Sequence, residues 1–331
     1  MRITILFGGT NKERLVSVAS AQALHAALPD ADLWFWEVDD MVHEARSEAL
    51  LEHSRPFEVP FRPDTPSLGT IAQALDRARA EDRLLVLGLH GGTAENGELQ
   101  VMCEMRGVPF TGSGSASSHL AFDKVAAKHF AALAGIKGPG GVALEDLDKA
   151  LAEHGRLIAK PSKDGSSYGL IFVNSTQDLT AVRRAAASED YLIEPFIAGR
   201  EATCGVLEQL DGSLIALPPV EIIPAEGAFD YEAKYIAKAT QEICPARFAP
   251  GVNADIMDQA LRAHKALSCS GYSRTDFIVT GQGQVYLETN TLPGLTRSSL
   301  YPKALKAQGI TFEDFMHLQI ALAERNMRRW Y

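Results

Sequence analysis

Short apolar runs alternate with helical patterns along the first 115 residues. Residues 3–7 form a β-rich run that stops at Gly8-Gly9, and apolar side chains then recur at a helical spacing from Val16 to Ala27. A second run, residues 84–89, ends at His90-Gly91. Because runs that are apolar on both faces are typical of parallel strands covered by helices, the pattern predicts an α/β unit. Its glycine turns lie at the carboxyl ends of the strands, where ligands bind in such sheets.

The middle of the chain, residues 116–193, has a different order of elements. A helical pattern over 123–134 precedes strand-like runs over 157–161 and 170–173. A short polar loop joins these two runs, and after a further helix another run covers 191–194. A hairpin flanked by helices predicts a small α+β domain.

Residues 194–331 are predicted to form a third region. A long irregular stretch, residues 225–252, is rich in Tyr, Lys and Asp, which favours a lid over a disordered loop. The last helix is predicted to begin near Thr311, with Asp314 as the acidic member of a capping-box variant. Strand-like runs cover 202–207, 214–223, 275–279 and 285–289, and the buried stripe of the last helix is predicted at Phe315, Leu318 and Leu322.

Composition narrows the class of protein. The 331 residues include 32 Lys and Arg against 42 Asp and Glu, a formal net charge of −10, which disfavours a nucleic-acid surface. The hydrophobic content of 46% is too high for disorder, and no apolar run is long enough to cross a membrane. The N-terminal residues have no signal-peptide pattern, and the four cysteines are too widely spread to predict a disulfide framework or a zinc site. We therefore expect a cytoplasmic protein of two or three domains, without a membrane or nucleic-acid partner.

Three oxygen-bearing side chains are predicted to meet near the C-terminus. Asp276 lies within the run 275–279, and Glu288 and Asn290 end the next run. Because Glu288 and Asn290 are two residues apart, they share one face of a strand. Mg²⁺ is typically held by a few protein oxygens together with phosphate oxygens. The set predicts a magnesium site, and the alternative is an acidic pair on a solvated sheet face.

Two further segments have the character of anion sites. Lys160-Pro161 ends a predicted strand and is followed by the polar glycine loop 164–167, which suits phosphate contact although it is not a Walker A motif. The Pro293-Gly294 turn would direct backbone N–H groups at an anion, as an oxyanion hole requires. Taken alone, the lysine motif is equally compatible with a hairpin that carries a surface lysine.

Other candidate residues come from distant parts of the chain. Glu13 and His90 each follow a predicted parallel strand, so we expect them to share a crevice where the carboxylate could hold a substrate ammonium. Lys124 begins a predicted helix. Residues 230–235, in the long irregular stretch, contain two tyrosines and a lysine, which suits a lid that excludes water. The alternatives are ordinary surface groups and a mobile surface loop.

In combination, these motifs resemble the D-alanine–D-alanine ligase family of the ATP-grasp superfamily, in order and over nearly the full length. The resemblance implies an ATP-grasp fold of α/β and α+β type, preceded by a small parallel-sheet N-terminal domain. The implied domains are 1–115 for substrate binding, 116–193 as the central subdomain, and 194–331 as the C-terminal subdomain with the metal site and the lid 225–252. The residues that carry the resemblance are Gly8-Gly9-Thr10, Glu13, His90-Gly91, Glu95, Gly97, Thr111-Gly112-Ser113-Gly114, Asp123-Lys124, Lys160-Pro161, Gly165-Ser166-Ser167, Glu194, Gly199-Arg200-Glu201, Asp230 to Tyr235, Arg274, Asp276, Glu288, Asn290-Thr291, Pro293-Gly294, Thr296 and Ser299.

The resemblance also implies a reaction. ATP phosphorylates the carboxylate of one D-alanine, and the amine of a second D-alanine attacks the acyl phosphate. The tetrahedral intermediate then collapses to the dipeptide, ADP and phosphate, which supplies a peptidoglycan precursor. By the same resemblance, Asp276, Glu288 and Asn290 bind two Mg²⁺ ions, for which Mn²⁺ is a substitute. A homodimer is usual for the family.

The remaining site residues receive roles by resemblance only. The nucleotide is contacted at its phosphates by Lys124, Lys160 and Lys234, at its adenine by the hinge Glu194, Pro195, Phe196 and Ile197, and at its ribose by Glu201. The first substrate's ammonium meets Glu13, helped by His90, and the second substrate's carboxylate meets Ser299 and Leu300. Arg274 and the Gly294 N–H stabilise the oxyanion, and Ser167 and Tyr235 tie the lid to the first-substrate site.

Several positions depart from the family pattern. Asn11 stands where serine is usual, Leu15 where a second acid is common, Ala94 for a glycine, Asn96 for an acid, and Tyr168 for a small aliphatic residue. These changes cluster around the amino-acid pocket, so a ligase that joins other amino acids stays open as an alternative. Tyrosine at position 235, in contrast, is typical of the peptide-forming members. A non-catalytic ligand-binding regulator is disfavoured, because the metal and phosphate residues are intact.

Overall fold

The computed structural model describes residues 1–163, 165, 169–224 and 240–327. The predicted site residues Ser167, Lys234 and Tyr235, the departure at Tyr168, and positions 225–239 of the predicted lid lie outside the described residues.

The first part of the chain folds around a sheet with a parallel centre. Its strands are β1 (Arg2–Gly8), β2 (Asp32–Trp36), β3 (Met41–Glu44), β4 (Ser67–Thr70) and β5 (Arg83–Leu87). Their spatial order is β4-β3-β2-β1-β5, and β1 is parallel to both β2 and β5, which confirms the predicted parallel unit. Strands β3 and β4, which lie beyond β2, pair in antiparallel fashion, and β2, β3 and β4 were not predicted. The helices are α1 (Arg14–Ala27), α2 (Ser47–Glu52), α3 (Ile71–Ala80), α4 (Gly92–Glu95), α5 (Glu98–Arg106) and α6 (Ser115–Phe122).

The turn after β1 depends on glycine. Gly8 has φ +98°, and a Cβ atom at this position would lie 2.3 Å from the carbonyl oxygen of Trp36. A side chain is therefore excluded by both backbone conformation and space. The tight turn leads directly into α1. Val16, Ala19, Ala23 and Leu24 are buried, as the helical spacing predicted, and Val18 and Ala21, which were not predicted, pack into the core beside Leu24.

The middle of the chain forms the predicted hairpin flanked by helices. Its elements are α7 (Lys124–Leu133), a short 3-10 helix (Leu144–Asp146), α8 (Leu147–His154), β6 (Leu157–Pro161), β7 (Ile171–Val173), α9 (Leu179–Ala186) and β8 (Tyr191–Pro195). The second sheet has the order β7-β6-β8 and is antiparallel throughout. Helices α8 and α9 share a buried apolar cluster with this sheet.

The third sheet is antiparallel and supplies the metal candidates. Its elements are β9 (Arg200–Glu208), β10 (Leu214–Ala216), β11 (Val220–Ile223), β12 (Gln241–Ile243), α10 (Pro250–Ala266), β13 (Tyr272–Thr280), β14 (Gly283–Asn290), α11 (Leu300–Ala307) and α12 (Phe312–Met327). The spatial order is β12-β11-β9-β13-β14, with β10 paired to β9. Helix α12 begins as predicted, because the Asp314 N–H donates to the Thr311 hydroxyl over 3.0 Å.

Two sequence predictions in this region are wrong in part. The single strand expected over 214–223 is divided into β10 and β11, because Pro218 and Pro219 have no N–H to donate to a strand ladder. The stretch 225–252 is not irregular throughout. Its described part contains β12 and, from Pro250, the start of α10.

The hydrophobic cores cross the predicted domain boundaries. The cluster around β1 and β5 is continuous with Tyr301 on α11 and Phe315 on α12. Ala131 of α7 packs in another cluster with Phe277 and Tyr286 of the third sheet. Among the described helices, none has both the length and the apolar character that a membrane crossing needs. The division at residues 115 and 193 stays a prediction.

Candidate active site

A cavity of about 1140 Å³ lies between the second and third sheets. Its walls come from β6, β7 and β8 on one side and from β9, β11, β13 and β14 on the other. The volume is ample for a ligand of nucleotide size. Many residues predicted from the sequence line it, namely Lys124, Lys160, Glu194, Pro195, Phe196, Ile197, Glu201, Arg274, Asp276, Glu288 and Leu300.

A second cavity, of about 80 Å³, adjoins the first. The two share Gly165, Arg274, Glu288 and Leu300 as lining residues. The smaller cavity brings together predicted residues from opposite ends of the chain, namely Glu13, His90, Asn290, Gly294 and Ser299. The described part of the predicted site therefore forms two connected compartments, a large one and one of amino-acid size.

The three metal candidates meet at the junction of these compartments. Asp276 and Glu288 are direct partners across β13 and β14, and Asn290 Nδ2 donates to Asp276 Oδ2 over 3.3 Å. Among the described residues, no group of three or more His, Cys, Asp or Glu side chains is placed to hold a metal ion. The candidate set thus consists of two carboxylates and one amide. This donor set fits Mg²⁺, which keeps several positions for water and phosphate oxygens.

Basic side chains surround both carboxylates. Arg274 binds Asp276 through two hydrogen bonds, Nε to Oδ1 over 2.9 Å and Nη2 to Oδ2 over 2.8 Å. Lys124 Nζ lies 3.7 Å from Glu288 Oε2. The junction therefore presents alternating positive and negative groups, an arrangement suited to a metal together with a phosphate.

A buried ion cluster forms one wall of the large cavity. Glu194, at the end of β8, is only 1% exposed, and each of its carboxylate oxygens faces a lysine. Lys128 Nζ lies 2.9 Å from Oε1, and Lys160 Nζ lies 3.2 Å from Oε2. Burial, followed by the nearby charge of Lys160, lowers the pKa of Lys128 to about 8. Two cations around one carboxylate leave this cluster with a net positive charge.

The predicted hinge lies beside this cluster. The Phe196 N–H donates to the carbonyl oxygen of Arg156, which ties the hinge to the start of β6. The Arg156 guanidinium lies 4.1 Å from the centre of the Phe196 ring, and Phe172 approaches the same ring edge-on at 6.2 Å. An aromatic ring and a planar guanidinium are thus stacked at this end of the cavity, and flat groups of this kind suit a planar base.

Glu13 is brought into the smaller cavity by three loops. A Cβ atom at Gly91 would lie 2.7 Å from Glu13 Oε1, and one at Gly165 would lie 2.5 Å from the same atom. Asn11 holds this arrangement together. Its Nδ2 donates to the carbonyl oxygens of His90 and Gly91, over 2.8 and 2.9 Å, while its Oδ1 accepts the Glu13 N–H over 2.7 Å.

His90 and Glu95 hold one residue of the third region between them. His90 Nδ1 lies 3.1 Å from the carbonyl oxygen of Leu292, and Glu95 Oε1 accepts the Leu292 N–H over 3.3 Å. The other His90 nitrogen, Nε2, lies 2.8 Å from the Ser20 hydroxyl. Burial lowers the pKa of His90 to about 4, so the ring is neutral, and the acceptor at Leu292 places its proton on Nδ1. Burial, together with nearby Glu13, raises the pKa of Glu95 to about 7.

The Gly294 turn and the start of α11 form the far end of the smaller cavity. A Cβ atom at Gly294 would lie 2.8 Å from the Ser299 hydroxyl oxygen, so a side chain at this position would require that hydroxyl to move. The Ser299 hydroxyl bonds the Thr296 hydroxyl over 2.7 Å and precedes Leu300, the first residue of α11. A helix N-terminus presents unpaired N–H groups, which favour an anion.

Two family models match the chain. The one described as "D-ala D-ala ligase N-terminus" covers residues 2–113, and the one described as "D-ala D-ala ligase C-terminus" covers residues 152–321. The chain belongs to the D-alanine–D-alanine ligase family. The resemblance drawn from the motifs is therefore confirmed, and the protein is an enzyme of the ligase class.

Individual members of the ligase family are similar to this chain over nearly its whole length. The D-alanine–D-alanine ligase of Halalkalibacterium halodurans is 34% identical over 98% of this chain and 99% of its own length. The solved D-alanine–D-alanine ligase of Coxiella burnetii superposes with a TM-score of 0.81 at 26% identity, covering 100% of this chain and 95% of that one. The VanG D-Ala:D-Ser ligase of Enterococcus faecalis superposes with a TM-score of 0.78 at 29% identity, covering 97% of this chain and 99% of that one. The expected ATP-grasp fold is confirmed.

Sequence reasoning missed several residues at this ligase site. Lys128 was overlooked although it lies four positions after Lys124, a spacing that places both on one face of a helix. Asn11 was treated only as a departure from the family pattern. Leu292 and Ser20 gave no signal, because their part in the site depends on contacts with His90 that are distant in sequence.

Proposed function

We propose that this protein catalyses the ATP-dependent ligation of two D-alanine molecules to D-alanyl-D-alanine, through an acyl phosphate, for peptidoglycan precursor synthesis. The observation that carries the proposal is the connection between the two cavities. Lysines and carboxylates line the large cavity, and Arg274 and Glu288 form its boundary with the small cavity, where Glu13 lies. A phosphoryl donor and a small amino acid bound in the two compartments would meet at that boundary.

The large cavity supports the proposed nucleotide roles. Lys124 and Lys160 line it and are suited to the phosphates, and Glu201 is suited to the ribose hydroxyls. The hinge Glu194–Ile197, with the stacked ring of Phe196, is suited to adenine. Lys234 keeps its proposed role at the γ-phosphate, although it lies outside the described residues.

The metal candidates fit a cation that assists phosphoryl transfer. We propose that Asp276, Glu288 and Asn290 hold two Mg²⁺ ions. When bound, the metal would neutralise charge on the transferred phosphoryl group. Arg274 and the Gly294 N–H, both lining the smaller cavity, would stabilise the oxyanion of the tetrahedral intermediate.

The smaller cavity supports the proposed substrate roles. The Glu13 carboxylate would pair with the ammonium of the first amino acid. His90 supports this site indirectly, since both of its ring nitrogens face protein groups. Ser299 and the N-terminus of α11 at Leu300 would bind the carboxylate of the second amino acid. Ser167 and Tyr235 keep their proposed roles in closing the lid, and a homodimer is proposed from family resemblance alone.

Substrate-dependent release of ADP and phosphate tests the proposal. We expect release with ATP, Mg²⁺ and D-alanine, and mass spectrometry of the product should identify D-alanyl-D-alanine. D-alanine labelled with ¹⁸O in its carboxylate should transfer one ¹⁸O atom to phosphate, because an acyl phosphate passes its bridging oxygen to phosphate when the amine attacks.

The same assay with other amino acids separates the alternatives. Turnover with L-alanine but none with D-alanine would refute the proposal. Preferential formation of D-alanyl-D-serine would instead place the protein with ligases that join other amino acids. Unlabelled phosphate would exclude the acyl-phosphate route.

A further inference from the structure

Lys128 lies behind the wall of the large cavity and does not line it. Its side chain is only 11% exposed, and its Nζ atom faces Glu194 Oε1 at 2.9 Å. The same ammonium donates to the carbonyl oxygen of Tyr286 over 3.3 Å. Tyr286 belongs to β14, the strand that also carries Glu288 and Asn290. Lys128 therefore connects the hinge strand β8 with the strand of the metal candidates.

The charge balance around Glu194 depends on this lysine. An ionised carboxylate that is 1% exposed needs a cationic partner, because burial removes its water. With Lys128 present, the cluster holds two cations and one anion. Without it, Lys160 is the remaining cation of the described cluster, and its charge is cancelled by Glu194.

The two lysines are not equivalent in position. Lys160 lines the cavity, so part of its ammonium is available to a ligand, whereas Lys128 is held by Glu194 and Tyr286. A lysine ammonium has three N–H donors, and the contact with Glu194 uses only part of that capacity. Lys160 is consequently suited to contact phosphate while it remains beside Glu194.

We propose that Lys128 is a positioning residue for the nucleotide: it neutralises Glu194 from behind the cavity wall, so that Lys160 retains a positive charge toward the phosphates. This inference rests on the proposed nucleotide site. It assigns Lys128 an effect on nucleotide affinity without direct contact with the nucleotide.

Direct binding of ADP with Mg²⁺, measured by calorimetry without amino acid, tests the inference. We expect Lys128→Met to raise the dissociation constant about tenfold, equivalent to ~1.4 kcal/mol. The matched control is Lys149→Met, which removes an exposed lysine on α8 and should change the constant less than twofold. Thermal unfolding followed by circular dichroism checks that each variant is folded.

A second pair of variants separates charge balance from simple packing. In the Glu194→Gln background the carboxylate charge is absent, so adding Lys128→Met should weaken ADP binding less than twofold. If Lys128→Met alone fails to fold, the comparison of Glu194→Gln with the double variant still tests whether Lys128 acts by balancing charge. The double variant contains no unpaired buried carboxylate at position 194. Any change in the hinge caused by Glu194→Gln is common to both members of the pair.

Three results would overturn the inference. The first is unchanged ADP affinity in folded Lys128→Met. The second is a tenfold loss on adding Lys128→Met to Glu194→Gln, which would indicate a packing role. The third is absence of ADP binding by the parent chain, which would overturn the proposed nucleotide site as well, whereas the first two leave the proposed function intact.

Discussion

Asp276 and Glu288 are neighbours across two strands, and each has a basic side chain beside it. Asp276 also accepts a hydrogen bond from the Thr203 hydroxyl on Oδ1, over 2.5 Å. Its carboxylate is therefore held in one orientation by groups on β9 and β13. Such fixed oxygens are what a metal ligand requires, because a cation bound by mobile carboxylates would not be positioned against a phosphate.

We predict that Asp276→Asn lowers kcat by about 100-fold or more, because losing a metal ligand removes several kcal/mol of charge stabilisation. Phosphate release at saturating ATP, Mg²⁺ and D-alanine measures the effect. Asp258→Asn is the control, since Asp258 is an exposed carboxylate paired with Arg262 on α10. Undiminished turnover by Asp276→Asn would refute the metal assignment.

The contacts of Asn11 explain one departure from the family motif. A serine at this position has one short hydroxyl, whereas the Asn11 amide bonds two carbonyl oxygens and an N–H. These bonds connect the turn after β1 to the turn after β5. The substitution therefore maintains the loop that carries Glu13.

At the scale of elements, α7 supplies one lysine to the wall of the large cavity and a second lysine behind that wall. Lys124 and Lys128 are one helical turn apart and face Glu288 and Glu194 respectively. The helix is capped by Asp123, whose Oδ1 accepts the N–H groups of residues 125 and 126 over 3.0 and 3.1 Å. The cap fixes the first turn, and the first turn carries Lys124.

We predict that Asp123→Ala destabilises the protein by about 1 kcal/mol, the usual cost of losing an N-cap. Fraying of the first turn should also raise the KM for ATP, because Lys124 loses its fixed position. Denaturant unfolding and steady-state kinetics measure the two effects.

Thr311→Ala provides the matched control for that variant. It removes the cap of α12, which lies away from the cavities, and should cost similar stability without changing the KM for ATP. An equal rise in KM in both variants would show that the effect of Asp123 is only a loss of overall stability.

At the scale of the whole molecule, buried histidines make stability depend on pH. His264 of α10 is 1% exposed, and its Nδ1 lies 2.8 Å from the Ser273 hydroxyl. Burial lowers the pKa of His264 from 6.5 to about 4. Between these two values the unfolded chain binds a proton that the folded chain does not, so stability falls as pH decreases from 6.5 to 4.

We predict that His264 accounts for a loss of about 2 kcal/mol in unfolding free energy between pH 7 and pH 5. The loss attributed to this residue should be absent in His264→Gln. Urea unfolding of parent and variant at both pH values measures the difference between them.

The difference between the parent and His264→Gln removes the contributions that other titratable groups make to the pH dependence of stability. His90, with its pKa lowered to about 4, acts in the same direction, and Glu95, with its pKa raised to about 7, acts in the opposite direction, losing stability as pH rises from 4.5 to 7. Both are common to the two proteins. An equal pH dependence in parent and variant would contradict the buried, neutral state of His264.

The local pattern of the chain determined most of the elements. Short β-rich runs located β1 and the hairpin β6–β7, and helical spacings located α1 and the last helix, because these patterns reflect how a single element is buried. The meeting of Asp276, Glu288 and Asn290 also followed from local order, since β13 and β14 are adjacent in sequence and paired in space. Pro218-Pro219 indicates the break between β10 and β11, but one continuous strand was predicted from the sequence.

Tertiary structure alone decided which distant residues share a site. Lys128 with Glu194, Asn11 with His90, and His90 with Leu292 are separated by 66, 79 and 202 residues, so no local pattern relates them. Their contacts exist because the apolar faces of α1, α7 and the sheets are buried together, and that packing carries the polar groups at the strand ends into common cavities. Burial also shifted the pKa values of His90, Glu95 and Lys128. The packed structure removes water from these groups, and the sequence of a single element does not show which groups lose their water.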